Sequence, residues 1–208
     1  MEIKNKKHKL KNYNLIIFCS LSLCLLYYTN RTNVDIRKKL KNASTTIETL
    51  SLERALLLDN IMLHYTYNDK KIPNLLLYTI DGDSLHLSEL LNDDYKLLIR
   101  FSQLNCSSCI DDIFEGLRQV VNKFPSNKVI LIGTYDNQRV FQAFIKNYSL
   151  PYSIYYSRNS EDVLKEENIP YCCLINNDRI LKNVMIPIKE IPAYSRRYYE
   201  IVLNRFFK

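Results

Sequence analysis

Leu97-Leu98-Ile99-Arg100-Phe101-Ser102-Gln103-Leu104-Asn105-Cys106-Ser107-Ser108-Cys109 is the stretch on which the reading of this chain turns. Leu97 to Phe101, apolar except at Arg100, has the composition of a buried strand, and Ile110 to Phe124 continues without proline as a helix. The two cysteines therefore stand where a strand gives way to a helix. The unpaired N–H groups and dipole of a helix start favour an anion, so Cys106 is expected to be an acidic thiol, able to attack a disulfide near neutral pH. Two intervening residues bring Cys109 round one turn, close enough to form a disulfide with Cys106 and release a bound partner. The same spacing also occurs in half of a zinc site. Such a site needs two more ligands at matching spacing, and His8, His64 and His86 offer no such pair. Neither a metal nor a cofactor is expected.

Around this stretch, short β-type runs alternate with helical ones. Leu75–Ile80 and Tyr95–Phe101 read as strands, separated by the Asp81-Gly82-Asp83 turn and the Leu85–Leu91 stretch. Beyond the Ser107–Phe124 helix come a strand over Lys128–Thr134 and a helix over Gln138–Tyr148 with Val140, Phe141, Phe144 and Ile145 on one face. The spacing then predicts a short strand at Ser153–Tyr156 and a helical turn at Glu161–Glu166. A hairpin of Tyr171–Asn176 with Ile180–Met185 follows, and a helix over Tyr194–Phe207 closes the chain. This order implies an α/β sandwich with a mixed central sheet. With 208 residues, 47% apolar and 25% charged, the chain can fill one core, which excludes a disordered or collagen-like protein. Six cysteines are too few for a disulfide scaffold.

The formal charge of +7 first suggests nucleic acid as a partner, and its distribution excludes that. Residues 1–41 hold ten Lys and Arg against Glu2 and Asp35, a net +8, whereas residues 42–208 sum to −1 and leave no basic surplus to neutralise phosphates. Five lysines between Lys4 and Lys11 precede the uncharged run Leu15–Tyr28. With Tyr13 and Thr29 included, this run covers about 25 Å as a helix, slightly less than a ~30 Å hydrocarbon core. No small-residue cleavage site follows Leu26, so residues 1–30 are expected to be a cytoplasmic basic tail and an uncleaved transmembrane signal anchor rather than a removed signal peptide. Cys19 and Cys24 are apolar filler within it. Residues 31–70 are expected to be a helical stalk or linker. Ile36, Leu40, Ala43, Ile47, Leu50, Leu57 and Ile61 recur at four-three spacing, interrupted by Arg54, which suits either a helix folded back on the following domain or a homodimerising coiled coil.

The order strand, Cys-x-x-Cys, helix, followed about sixty residues later by Ile169-Pro170 before an apolar strand, resembles the thioredoxin superfamily. The likeness is greatest to the membrane-anchored TlpA/ResA-like thiol–disulfide oxidoreductases of the redoxin group. Ile72-Pro73-Asn74, the lead-in Asp81-Gly82-Asp83-Ser84-Leu85-His86-Leu87-Ser88-Glu89-Leu90, the segment Lys146–Tyr152 and the run Ile169–Asn176 carry the resemblance, which covers roughly residues 72–208. It implies a thioredoxin-like three-layer sandwich over residues 71–208, with Cys106 and Cys109 as the catalytic pair. Pro170 would be cis and would shape a substrate groove in which Ile169 supplies main-chain hydrogen bonds. The implied partners are disulfide- or dithiol-containing exported proteins and, for a reductase, a membrane electron donor.

The sequence departs from that pattern in places. Ser102-Gln103-Leu104-Asn105 replaces the aromatic lead-in, neither central residue of the motif is proline, and Arg100 stands where thioredoxins carry a buried carboxylate. Pointing inward, Arg100 would hold thiolates charged rather than accept a proton; the rarity of buried arginine favours the other reading, in which it reaches the surface or pairs with Asp111 or Asp112. Adjacent Cys172 and Cys173 should point to opposite faces of a strand as core residues. The expected function is exchange of a Cys106–Cys109 disulfide with exported proteins. The alternatives are a peroxiredoxin-like peroxidase, which would want a threonine where Gln103 sits, and a non-enzymatic binding or redox-sensing module in the envelope.

Overall fold

The computed structural model describes residues 2–148, 150–158 and 169–207, with only the backbone for 2–16 and 121. In chain order it contains α1 (Glu2–Tyr67), β1 (Leu76–Tyr78), β2 (Ser84–His86), β3 (Lys96–Ser102), α2 (Ser107–Val120) and β4 (Val129–Thr134). These are followed by α3 (Gln138–Ile145), β5 (Ser153–Ser157), β6 (Tyr171–Ile175), β7 (Lys182–Met185) and α4 (Pro192–Phe206). The chain divides into two units, Met1–Leu52 and Glu53–Lys208.

The described residues of the first unit all belong to α1. Ile36, Leu40, Ile47 and Leu50 of the four-three stripe are exposed there. Among the described residues no helix is long and apolar enough to cross a membrane. Leu15 and Ile16, which begin the apolar run, are described by backbone alone.

The second unit is built on a seven-stranded mixed sheet in the order β2-β1-β5-β4-β3-β6-β7. β3 lies parallel to β4 and antiparallel to β6, and β4 lies parallel to β5. Both faces of β3 are covered because its alternate residues serve two cores. Leu97, Ile99 and Phe101 join Ile113, Phe114 and Leu117 of α2, Phe141 of α3 and Tyr199 of α4 on one side. Leu98 joins Ile130, Ile132, Tyr171 and Cys173 on the other, together with Tyr67 from the end of α1. Helices on both faces of a mixed sheet make three layers. β2, which the sequence reading ran into the Leu85–Leu91 stretch, is a three-residue strand held to β1 by the tight turn at Gly82, whose φ of 100° a side chain would resist.

The end of α1 meets the sheet through a face that carries Asn60 and His64 and takes in Leu57 of the apolar stripe, which is half-buried. Ile61 of the stripe remains exposed, while Asn60 is 3% exposed. Asn60 Nδ2 donates to the Ile186 carbonyl at 2.5 Å, and its Oδ1 accepts from Ile186 N at 3.4 Å and from the Tyr194 hydroxyl at 3.1 Å. His64 Nδ1 lies 3.0 Å from the Val184 carbonyl, and Asn68 Oδ1 accepts from Asn183 N at 2.7 Å. Positions 60, 64 and 68 thus give partners to the main chain along the outer edge of β7, where no further strand pairs. Hydrophobic spacing registers only apolar residues, so it showed none of these polar contacts and counted the exposed Ile61 into the stripe. A similar error affects α3: Phe141 and Ile145 are buried one turn apart, but Val140, about 100° round the helix, is exposed. The turn expected at Glu161–Glu166 lies outside the described residues.

Arg100 is also placed differently from expectation. It is 3% exposed and shares its strand face with Leu98, on the side of the sheet opposite α2. Asp111 and Asp112 are engaged instead by the Tyr148 hydroxyl at 2.5 Å and the Ser195 hydroxyl at 2.6 Å. Cys172 and Cys173 are both fully buried, one in each core, and Cys172 Sγ lies 3.4 Å from the Tyr199 hydroxyl.

Candidate functional site

The cysteine pair sits at the mouth of α2 because the chain leaves β3 through a pinned turn. Asn105 N donates to the Ser102 carbonyl at 3.1 Å, and the Asn105 side-chain oxygen accepts from Ser102 N at 2.6 Å. Gln103 N donates to the Thr134 carbonyl at 3.0 Å, tying the turn to the end of β4. The Gln103 carboxamide donates through Nε2 to the Asp136 carboxylate and accepts from Asp136 N at 3.2 Å. Cys106 then caps the helix: its carbonyl accepts from Cys109 N at 3.0 Å and from Ile110 N at 3.2 Å.

The two thiols have unequal environments. Cys106 is exposed, Cys109 is half-buried, and both are free. Cys106 Sγ lies 2.9 Å from the Ser108 hydroxyl, which donates to the sulfur once it is a thiolate. That bond, followed by hydrogen bonds from the Cys109 side chain and backbone, brings the Cys106 pKa down to about 7. Burial, and then the neighbouring Cys106 sulfur, push the Cys109 thiol up to about 11. Lys189 and Glu190, in the turn before α4, act on Cys109 in opposite senses, Lys189 favouring its thiolate and Glu190 its thiol. α4 is fastened to α2 by Ser195 on Asp112 and by the Tyr199 hydroxyl on the Ile113 carbonyl at 3.2 Å. Chemically, the site offers one accessible nucleophile that ionises near neutrality and a second, protonated sulfur one turn along the helix.

Sequence spacing located both cysteines and the sense of the Cys106 shift, but attributed it to the helix start; it missed Ser108, Asn105, Gln103 and the Lys189-Glu190 turn. Ser108→Ala is expected to move the alkylation midpoint of Cys106 upward from about 7, toward the ordinary ~8.5 of a cysteine. Only the thiolate reacts, so in the parent chain the rate climbs as pH rises through 7 and levels off above it, and in the variant the climb comes later. Iodoacetamide rates measured peptide by peptide across pH check this, and an unchanged midpoint refutes the role of Ser108.

Ile169 and Pro170 lie at the same end of the sheet. Tyr171 pairs with Arg100, so the two residues before β6 fall level with the end of β3, where the cysteine turn begins. Ile169 is half-buried and Pro170 buried. Among the described residues no peptide bond is cis, which corrects the expectation for Pro170: its bond from Ile169 is trans. Proline leads into β6 without disturbing the ladder, because the first pairing falls at Tyr171 and the missing N–H is not needed. Among the described residues no three His, Cys, Asp or Glu are grouped to hold a metal ion.

No family model and no curated protein matches the chain. Solved structures do match. A protein from Chlorobium tepidum assigned as the thiol:disulfide interchange protein DsbE is 14% identical, with 66% of this chain and 96% of that one covered at a TM-score of 0.51. A protein from Aquifex aeolicus VF5 assigned to electron transfer is 17% identical over 66% of this chain and 94% of its own, at a TM-score of 0.49. The peroxidoxin BcpB from Mycobacterium tuberculosis is 14% identical over 65% and 97%, at 0.48.

Proposed function

On a thioredoxin-like fold, which the likeness to the Chlorobium tepidum protein shows, we propose that this chain is a membrane-anchored thiol–disulfide oxidoreductase, acting as a reductase on exported proteins. The observation that carries the reading is the asymmetry of the pair: an exposed Cys106 at about 7 beside a shielded Cys109 at about 11. The Cys106 thiolate attacks one sulfur of a partner disulfide, forming a mixed disulfide and releasing the other sulfur as a thiolate. Cys109 then loses its proton to solvent, its charge favoured by Lys189, and attacks Cys106. The mixed disulfide breaks, the second partner sulfur leaves, and two electrons have passed from the dithiol to the partner. A membrane electron donor restores the dithiol. The lysine-rich tail of residues 1–30 and its apolar run would hold the domain outside the cytoplasm.

Cys109→Ala removes the resolving sulfur, so mixed disulfides with partner proteins are expected to accumulate in cells, be released by dithiothreitol and disappear in Cys106→Ser/Cys109→Ala. Adducts that persist without Cys106, or no adducts at all when Cys109 is absent, refute the reading.

A further inference from the structure

Beyond Tyr67, Leu104 is the most exposed large apolar side chain among the described residues, at 71%, and it lies two positions before Cys106. A single exposed leucine on a surface is ordinary. This one is held out of the core by its neighbours. Leu104 N donates to the Ser102 hydroxyl at 3.2 Å, the Asn105 amide is turned back on Ser102 N, and the Gln103 carboxamide is tied at both ends to Asp136. The polar side chains flanking Leu104 are thus bound within the turn, and the side chain left facing solvent beside the nucleophile is apolar. Across the same end of the sheet, the half-buried Ile169 precedes β6.

Building on the oxidoreductase reading, we infer that Leu104 is a specificity residue: an apolar platform that selects partner disulfides flanked by a large apolar residue. Such pairs are accessible in exported chains that have not yet buried their apolar side chains. A folded partner whose cystine is ringed by polar residues makes no use of the platform. Because Leu104 has no group that takes part in the exchange, its contribution lies in binding and leaves the exchange step unchanged.

The test uses the full-length protein, pre-reduced, in single turnover, with the appearance of the Cys106–Cys109 disulfide as readout. Three oxidants are compared: a peptide disulfide flanked by leucine, the same peptide flanked by serine, and oxidised glutathione. The parent chain is expected to half-saturate with the leucine peptide at about tenfold lower concentration than with the serine peptide, at equal limiting rates. Leu104→Ser should abolish that difference and leave the glutathione rate within twofold of the parent. Leu104→Met should restore the preference. An undiminished preference in Leu104→Ser, or an equal loss of rate with glutathione, overturns the inference while leaving the oxidoreductase reading intact. No Cys106–Cys109 disulfide with any oxidant overturns both.

Discussion

Cys106→Ser is expected to lower the rate of disulfide exchange at pH 7 by at least about 1,000-fold, with folding stability within about 0.5 kcal/mol of the parent. Cys109 is then the remaining sulfur of the site, and burial, the largest cause of its raised pKa, persists when the Cys106 sulfur is gone. At pH 7 a thiol held above its ordinary range is ionised only to a small fraction, against about half for the thiolate it replaces, and it is also half-buried. Serine keeps the helix cap, since the capping group at this position is the backbone carbonyl. Cys19 and Cys24 are exposed and would add background, so both are replaced by alanine in parent and variant alike. Release of thiol from a peptide disulfide gives the rate, and a variant within tenfold of the parent would mean that another group carries the exchange.

The largest effect on stability is expected at Gly133 in β4. A Cβ there would stand 2.5 Å from Cε2 of Phe141 and 2.9 Å from Cε2 of Phe101, closer than side-chain contacts allow. Both rings are buried in the core beneath α2 and α3, so neither can move outward without opening a void beside Phe114 or Tyr135. Gly133→Ala is therefore expected to cost about 3 kcal/mol, at the upper end for an added methyl in a packed interior. Denaturant titration measures it, and pairing the substitution with Phe141→Leu should recover part of the loss. A cost below about 1 kcal/mol would show that the rings accommodate the methyl freely. The Cys106 alkylation midpoint should stay near 7 in this variant, because the strain lies behind the cysteine turn.

Much of this arrangement was legible from residue order. β3, β4 and β6 are nearly unbroken apolar runs, as strands covered on both sides must be, and their boundaries fall within a residue or so of expectation. The cysteine spacing set Cys106 and Cys109 where β3 gives way to α2, and they stand there. What escaped has a common origin: polar side chains whose partners are distant in sequence. Asn60 binds Ile186, Gln103 binds Asp136 and Ser195 binds Asp112, and apolar periodicity records none of these bonds. Arg100 differs, because strand alternation alone sets it on the same face as Leu98; the rarity of buried arginine argued the other way and was overridden by the strand. Pro170 escaped because its trans bond serves the start of β6, whatever the surrounding resemblance implied.

The two margins of the sheet bear on how a partner chain can be held. β7 has its outer main chain occupied by Asn60, His64 and Asn68, and β2 at the other margin is three residues long. Extended polypeptide therefore finds little template for annealing to either rim, and copies of the domain have little means of stacking edge to edge into fibres. With β7 occupied and β2 short, the cysteine end of the sheet is left as the place where, on the proposed reading, a partner disulfide would be met.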